Sequence, residues 1–287
     1  MPELPEVEVI RLGLDPLLTG ARIVTFATSG QTLRLPMPGK GIEAYLLGRQ
    51  VKATGRRGKY LLVWMDSGAL LVIHLGMTGR LGLFPSHEPP ARHDHLRLGL
   101  NNGLELRFHD ARRFGSIQVF SPAAIKRQDP FVAMGPEPFS RAFTSSHLHQ
   151  RAFGRGQPIK NFLLDGRTVA GIGNIYASEI LFAARIRPET PIGKVTRIQW
   201  QKIVKETRRI LTRAIACGGS TIADFVNSRG EAGSFQLELA VYGRAGQSCP
   251  CCGAGIVRAV MAGRATFYCP VCQKTSRQQA DQVIRNS

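Results

Sequence analysis

Four cysteines near the C-terminal end constrain this chain most. Cys249 and Cys252 are two residues apart, Cys269 and Cys272 likewise, and sixteen residues separate the pairs. A two-residue gap lets both sulfurs of a pair face one ion. Two such pairs at this distance read as a four-cysteine zinc site of the ribbon type. Each pair would sit on a tight knuckle, with a β-hairpin between them. One structural Zn2+ is expected, because a four-thiolate ion keeps no open position for catalysis. A redox dithiol would use one pair rather than two at this spacing. Cys251 leaves a competing first pair, Cys249 with Cys251. Cys217 lies far off in sequence and reads as a small buried apolar residue.

Charge narrows the partner. Thirty-eight Lys and Arg oppose twenty Asp and Glu, a net charge of +18 over 287 residues. A surplus that large points to a polyanion, most often nucleic acid. An anionic membrane fits less well, since no long basic amphipathic helix stands out. No apolar stretch approaches the roughly 20 residues that span a bilayer. The first residues are acidic and hold no apolar signal core. A cytoplasmic protein is therefore expected, in which metal rather than disulfides occupies the cysteines.

The hydrophobic pattern changes along the chain. Val7, Ile10, Leu14 and Leu17 recur at helical spacing and predict an amphipathic helix over 5–18, kinked or shortened by Pro16 and ended by Gly20. From about 22 to 120 the pattern is strand-like. Short apolar runs at 60–65, 69–74, 96–100, 104–108 and 116–120 are separated by turn residues. Asn102-Gly103 between two such runs is a strong hairpin signal. Strands at this spacing predict a β-sandwich or barrel. Pro122, Pro130, Gly135 and Pro136 mark a linker. Helical segments are expected at 159–166, 174–186, 193–216 and 220–227, with a mobile Gly- and Ser-rich loop over 218–234.

The other chemical signal is the opening Met1-Pro2-Glu3-Leu4-Pro5-Glu6-Val7-Glu8. Removal of Met1 would leave Pro2 with a free secondary amine. Such an amine attacks an aldehyde-like sugar carbon and becomes an iminium ion, cationic without an added proton, which is an electron sink for elimination. Glu3 beside it could move protons. Pro5, Glu6 and Glu8 suit the first turn of a helix, so the amine would sit at the positive end of a helix dipole. The same residues also fit a plain helix start.

Three more motifs join these in order. Gly58-Lys59 lies in the turn Thr54-Gly55-Arg56-Arg57-Gly58-Lys59-Tyr60. Gly171-Ile172-Gly173-Asn174-Ile175-Tyr176-Ala177-Ser178-Glu179 opens a helix. Gly263-Arg264-Ala265-Thr266 precedes Cys269-Pro270-Val271-Cys272-Gln273. From Pro2 to Gln273 the chain resembles the bacterial formamidopyrimidine-DNA glycosylases. The resemblance implies an α+β protein with an N-terminal β-sandwich led by a helix (1–121), a linker (122–136), and a helical domain with a helix–two-turn–helix (137–237). That domain carries a lesion-capping loop (218–236). A β-hairpin zinc finger (238–273) and a tail (274–287) follow.

It also implies a monomeric, bifunctional base-excision enzyme acting on double-stranded DNA that holds an oxidised purine or an abasic site. Pro2 would attack C1′ and displace the base, and Glu3 would assist ring opening. Lys59 would assist β-elimination and Arg264 δ-elimination. Met77, Arg112 and Phe114 would fill the space left by the extruded nucleotide, with Arg112 reading the orphaned cytosine. His74, His93, Arg155, Lys160 and Asn174, with Arg112, would contact DNA. Gly166 stands where a polar residue is commoner, with little expected consequence. Two other readings fit part of the pattern: an endonuclease VIII-like enzyme for oxidised pyrimidines, and a non-catalytic zinc protein that grips damaged DNA.

Overall fold

The computed structural model describes residues 1–37, 41–219 and 238–274. The chain forms two compact units. One comprises Met1–Val132 with Ala214–Gln236, the other Ala133–Arg213 with Leu237–Ser287.

The first unit opens with helix α1 (Leu4–Leu18). Its apolar positions Val7, Ile10, Leu14 and Leu18 are all buried, as their spacing requires. Leu17 is exposed instead, and Leu18 takes its place in the stripe. Pro16 lies inside the helix without ending it. Leu12, four residues back, is exposed, so the missing backbone bond falls on the outer side.

Eight strands follow: β1 (Ile23–Thr28), β2 (Val51–Arg57), β3 (Tyr60–Met65), β4 (Leu70–His74), β5 (Arg80–Pro85), β6 (Asp94–Leu100), β7 (Leu104–His109) and β8 (Ser116–Phe120), with a one-turn helix α2 (Glu43–Leu46) between β1 and β2. They make two four-stranded antiparallel sheets, ordered β1-β6-β7-β5 and β2-β3-β4-β8. One core joins inward residues of both sheets, among them Leu98, Leu106 and Phe108 of the first and Leu61, Val63, Leu71 and Ile73 of the second, to the buried stripe of α1. A smaller cluster covers the other face of the second sheet, where Leu62, Leu70 and Val72 meet Tyr60, Trp64, Phe120 and Phe131. Strand β4 is thus buried on both faces and reads as an unbroken apolar run.

Strands β1, β2 and β5 had no distinct sequence signature. All three are sheet edges with mostly half-exposed or exposed residues, so alternation is weak there. Helix α3 (Pro122–Arg127) occupies part of the expected linker, with Ser121 capping it through a bond from Ala124 N at 3.2 Å.

The second unit holds α4 (Ser145–Ala152), α5 (Ile159–Leu164), α6 (Asn174–Ala183), a 3-10 turn at Ile192–Lys194 and α7 (Arg197–Ala216), then the hairpin β9 (Val257–Met261) and β10 (Arg264–Tyr268). Helix α7 starts four residues later than expected. Thr196 and Gln199 form a reciprocal capping pair, each side chain bonding the other's backbone N–H at 3.2 and 2.9 Å. Helix α6 stops early because Arg185 takes a left-handed backbone, φ 61. Helix α4 was not expected; its cap is Thr144. The expected helix at 220–227 lies outside the described residues.

Gly76 has φ +65, and a Cβ built there would lie 2.3 Å from the Phe114 carbonyl carbon. Gly103 is also left-handed, φ +80, but has open space around it. Gly76→Ala is therefore expected to cost at least about 2 kcal/mol more than Gly103→Ala, which bears only the backbone penalty of roughly 1 kcal/mol. Urea unfolding midpoints of the two variants check this.

Candidate active site and metal centre

Pro2 and Glu3 are buried at the head of α1. Glu3 is the N-cap residue. Its side chain accepts the N–H of Glu6, and its own N–H donates to Glu6 Oε2 at 2.8 Å. This capping box fixes the first residues against the helix dipole, where a carboxylate is favoured and protonation of an amine is not. Gly219, φ +83, approaches closely enough that a Cβ there would lie 3.3 Å from Glu6 Cγ.

Lys59 sits on the two-residue turn between β2 and β3, after Gly58 with φ 56. The turn is tied to α1 by a short chain of contacts. Arg56 donates to Glu8 Oε2 at 3.1 Å and to the Gly58 carbonyl at 3.0 Å. Glu8 also takes two bonds from Arg11. Burial alone would raise the Glu8 pKa, but the two guanidiniums hold it below the usual carboxylate range. Further along α1, Thr54 of β2 donates to Asp15 at 2.5 Å. The lysine turn and the chain start therefore belong to one braced piece.

His74, at the end of β4, is pushed down to about 4 by burial and by the nearby positive charges of Lys59 and Arg34. It is neutral at physiological pH. Its Nδ1 accepts the Gly76 N–H at 3.0 Å, so the ring hydrogen lies on Nε2, where it can be donated to a phosphate oxygen. Met77 and Phe114 are exposed, 43% and 44%. Arg112 lies over the Phe114 ring at 4.7 Å. Apolar side chains this open do not belong to the core. His93 is half-buried and stacks edge-on to His109 at 5.7 Å.

In the second unit, Arg264 begins β10 directly after the turn Ala262-Gly263, with both turn residues left-handed at φ 46 and 71. Arg264 and Arg155 are exposed. Asn174 opens α6 and donates to the Ala265 carbonyl at 2.9 Å. Lys160 departs from expectation. It is 1% exposed, and its ammonium donates to the same carbonyl at 3.0 Å and to Thr266 Oγ1 at 2.7 Å. A cation buried among oxygen acceptors is held there, so Lys160 secures the strand carrying Arg264 rather than presenting itself to solvent. Glu179, the last residue of the Gly171 motif, has a role that the sequence does not show. It accepts the N–H groups of Ala240, Val241 and Tyr242 at 2.8–3.0 Å and so anchors the chain entering the finger. Burial raises its pKa more than those three bonds lower it.

The sulfurs of Cys249, Cys252, Cys269 and Cys272 all lie within 4.8 Å of one another. Cys249 and Cys272 are 3.8 Å apart, and Cys252 and Cys269 3.5 Å. Tetrahedral zinc with bonds of about 2.3 Å requires sulfur separations of about 3.8 Å. Backbone N–H groups of Cys251 and Cys272 point at Cys249 and Cys269 sulfurs, as knuckles do. Burial and the neighbouring thiols push Cys272 up to about 12, and a bound divalent cation would favour its thiolate. The cluster settles the first pair as Cys249 with Cys252, and Cys251 stands outside it. The residues fit one structural zinc.

Comparison with known proteins decides the family. Residues 1–117 match the formamidopyrimidine-DNA glycosylase N-terminal domain, 134–226 the corresponding H2TH domain, and 246–275 the zinc finger found in FPG and IleRS. The formamidopyrimidine-DNA glycosylase of Magnetococcus marinus is 42% identical, with 96% of this chain and 100% of the relative covered. The chain belongs to the formamidopyrimidine-DNA glycosylase family. The MutM (Fpg) crystal structure from Thermus thermophilus superposes with TM-score 0.84 at 38% identity, covering 95% of this chain and 98% of that one. Lactococcus lactis Fpg in complex with an N7-benzyl-Fapy-dG containing DNA gives 0.88 at 33% identity, covering 96% and 100%. The same protein with an abasic site containing DNA gives 0.87 at 32%, covering 95% and 100%.

The expected α+β architecture and zinc finger of this glycosylase family are thus present. Among the described residues no helix is long and apolar enough to cross a membrane. Most of the expected lesion-capping loop, from residue 220, lies outside the described residues.

Two outcomes are expected. Cys252→Ser should lower zinc from one ion per chain to well below that by atomic emission, while Cys251→Ser keeps it. The pH dependence of stability should carry the mark of His74. Its folded-state pKa lies below the unfolded value of about 6.5, so its contribution is present above pH 6.5 and is lost as pH falls toward 4. Between pH 7 and 5 the native chain should lose about 2 kcal/mol more unfolding free energy than His74→Asn, whose side-chain oxygen can still accept the Gly76 N–H. Equal losses in urea titrations would contradict this.

Proposed function

We propose that this chain excises oxidised purines, including 8-oxoguanine and formamidopyrimidines, from duplex DNA and then cuts the strand at the abasic site. The family assignment over the whole chain supports a DNA-formamidopyrimidine glycosylase with abasic-site lyase activity, working in base-excision repair. Relatives solved with Fapy-dG or abasic-site DNA support the same substrate class. The net charge of +18 suits a duplex partner, since phosphate contacts dominate such binding. An enzyme of this kind acts in the cytoplasm, at the nucleoid.

The observation that carries the mechanism is the buried, doubly capped start of α1. Once Met1 is removed, the Pro2 nitrogen attacks C1′ of the damaged nucleotide. The glycosidic bond breaks and the base leaves. The departing base takes a proton from water, and Glu3, a carboxylate at rest, takes the proton that the Pro2 nitrogen loses and delivers it to the ring oxygen as the sugar opens, which leaves an iminium ion joining Pro2 to C1′. Loss of a C2′ proton then expels the 3′ phosphate, with Lys59 assisting. A second elimination expels the 5′ phosphate, with Arg264 clamping it in bidentate fashion rather than donating a proton, because a guanidinium is a poor acid. Water then hydrolyses the iminium and frees Pro2, so the products are the free base, the unsaturated aldehyde left from the sugar, and a one-nucleotide gap flanked by phosphates. Residues 1–121 supply the nucleophile and the wedge. Residues 137–237 and the finger at 238–273 supply phosphate contacts through Arg155, Asn174 and Arg264, with His74 and His93 adding donors.

Borohydride reduction tests this. Processed protein mixed with abasic-site duplex should give a covalent adduct, and peptide mapping should place the adduct on Pro2. Pro2→Gly, whose primary amine gives an imine that needs an added proton, should release 8-oxoguanine at least about ten-fold more slowly. An adduct on Lys59, or none from the processed, zinc-loaded protein, would overturn the assignment and favour a protein that only binds damaged DNA.

A further inference from the structure

We propose that Asp110 is the positioning residue that makes Met77, Arg112 and Phe114 a single rigid wedge. The inference rests on the reading of those three side chains as the group that fills the vacated stack. Asp110 is 0% exposed, and both carboxylate oxygens are used. Oδ1 accepts from Thr78 Oγ1 at 2.8 Å, in the loop that carries Met77. Oδ2 accepts from the Gly115 N–H at 2.7 Å, next to Phe114. One carboxylate therefore joins two loops that are 32 residues apart in sequence.

The backbone of Asp110 is held as firmly. Its N–H donates to the His93 carbonyl at 3.0 Å, and its carbonyl accepts from Arg113 N at 3.1 Å. The same carbonyl takes His95 Nε2 at 3.0 Å. His95 must then carry its hydrogen on Nε2, and its Nδ1 meets Ser29 Oγ at 2.7 Å. Arg113 has a left-handed backbone, φ 58, so the chain turns sharply between Arg112 and Phe114. The loops also touch directly. A Cβ at Gly76 would lie 2.4 Å from Gly115 N, and one at Gly115 would lie 2.8 Å from the His74 carbonyl oxygen.

The three wedge side chains are open while the backbone beneath them is pinned. That is the arrangement an intercalating wedge requires. Unstacking a base step costs a few kcal/mol. Loops that had to order at the same moment would add their own entropy loss. Aim matters as well, because Arg112 can tell one partner base from another only if its guanidinium reaches the same place each time.

The test uses Asp110→Ala, which removes both bonds, and Thr78→Val, which removes one without changing shape. Asp110→Asn is the conservative control: its Oδ1 can accept the Gly115 N–H and its Nδ2 can donate to Thr78 Oγ1. Single-turnover excision of 8-oxoguanine would be measured opposite cytosine and opposite adenine. Strand cleavage would be measured at an abasic site in an unpaired bulge, where no partner base is orphaned. In Asp110→Ala and Thr78→Val the cytosine-to-adenine ratio should fall about ten-fold, and duplex excision should suffer about ten-fold more than bulge cleavage. Asp110→Asn should keep the ratio within about two-fold of the native value. An unchanged ratio in Thr78→Val and Asp110→Ala, or equal loss on both substrates, would overturn the assignment. Thr78→Val decides alone if Asp110→Ala does not fold. Arg112→Ala separates the two levels: if it too leaves the ratio unchanged, the wedge reading itself fails, whatever Asp110 does.

Discussion

Immobilising the chain terminus is the constraint from which the rest follows. The first residues of a domain ordinarily fray, and a nucleophile carried there would have no fixed address. Here Leu4 is fully buried, Glu3 and Glu6 exchange bonds, and the stripe Val7, Ile10, Leu14 and Leu18 is driven into the sandwich core. Burying four aliphatic side chains removes enough apolar surface to contribute on the order of 8 kcal/mol before entropy is counted. The Glu8–Arg56–Gly58 chain then extends that order to the lysine turn. The sandwich acts as the clamp for two residues at its edge.

The second theme is the use of buried polar side chains as fasteners. Asp110 joins two loops of the first unit, and in the second unit Lys160 and Glu179 hold the finger and its entry strand. Each is a polar or charged group whose burial is tolerated because its hydrogen-bonding capacity is met by fixed partners. Such groups resist substitution for a reason unrelated to contact with substrate. A short motif can therefore hold both kinds of residue side by side. Under the proposed function, Asp110 beside Arg112 is an example.

What could be read from the sequence follows the same division. Helix α1, the central strands, the edge strand β8 and the four zinc ligands were legible, because each is fixed by a local pattern: a 3.6-residue stripe, a short apolar run, a two-residue gap between thiols. The edge strands β1, β2 and β5 were not, since half of each faces outward and alternation fades. The starts of α4 and α7 are marked by the capping residues Thr144 and Thr196. The burial of Lys160 was illegible for another reason. The family resemblance gives Lys160 as a DNA contact, and only the long-range approach of Ala265 and Thr266 reveals its partners. Asp110 lies two residues before Arg112 in the chain, yet its bonds to Thr78 and Gly115 depend on how two separate loops meet.

Pro2 is buried, while Met1 above it is exposed. The residue that must leave before the secondary amine is uncovered is therefore the one that stands open to an aminopeptidase.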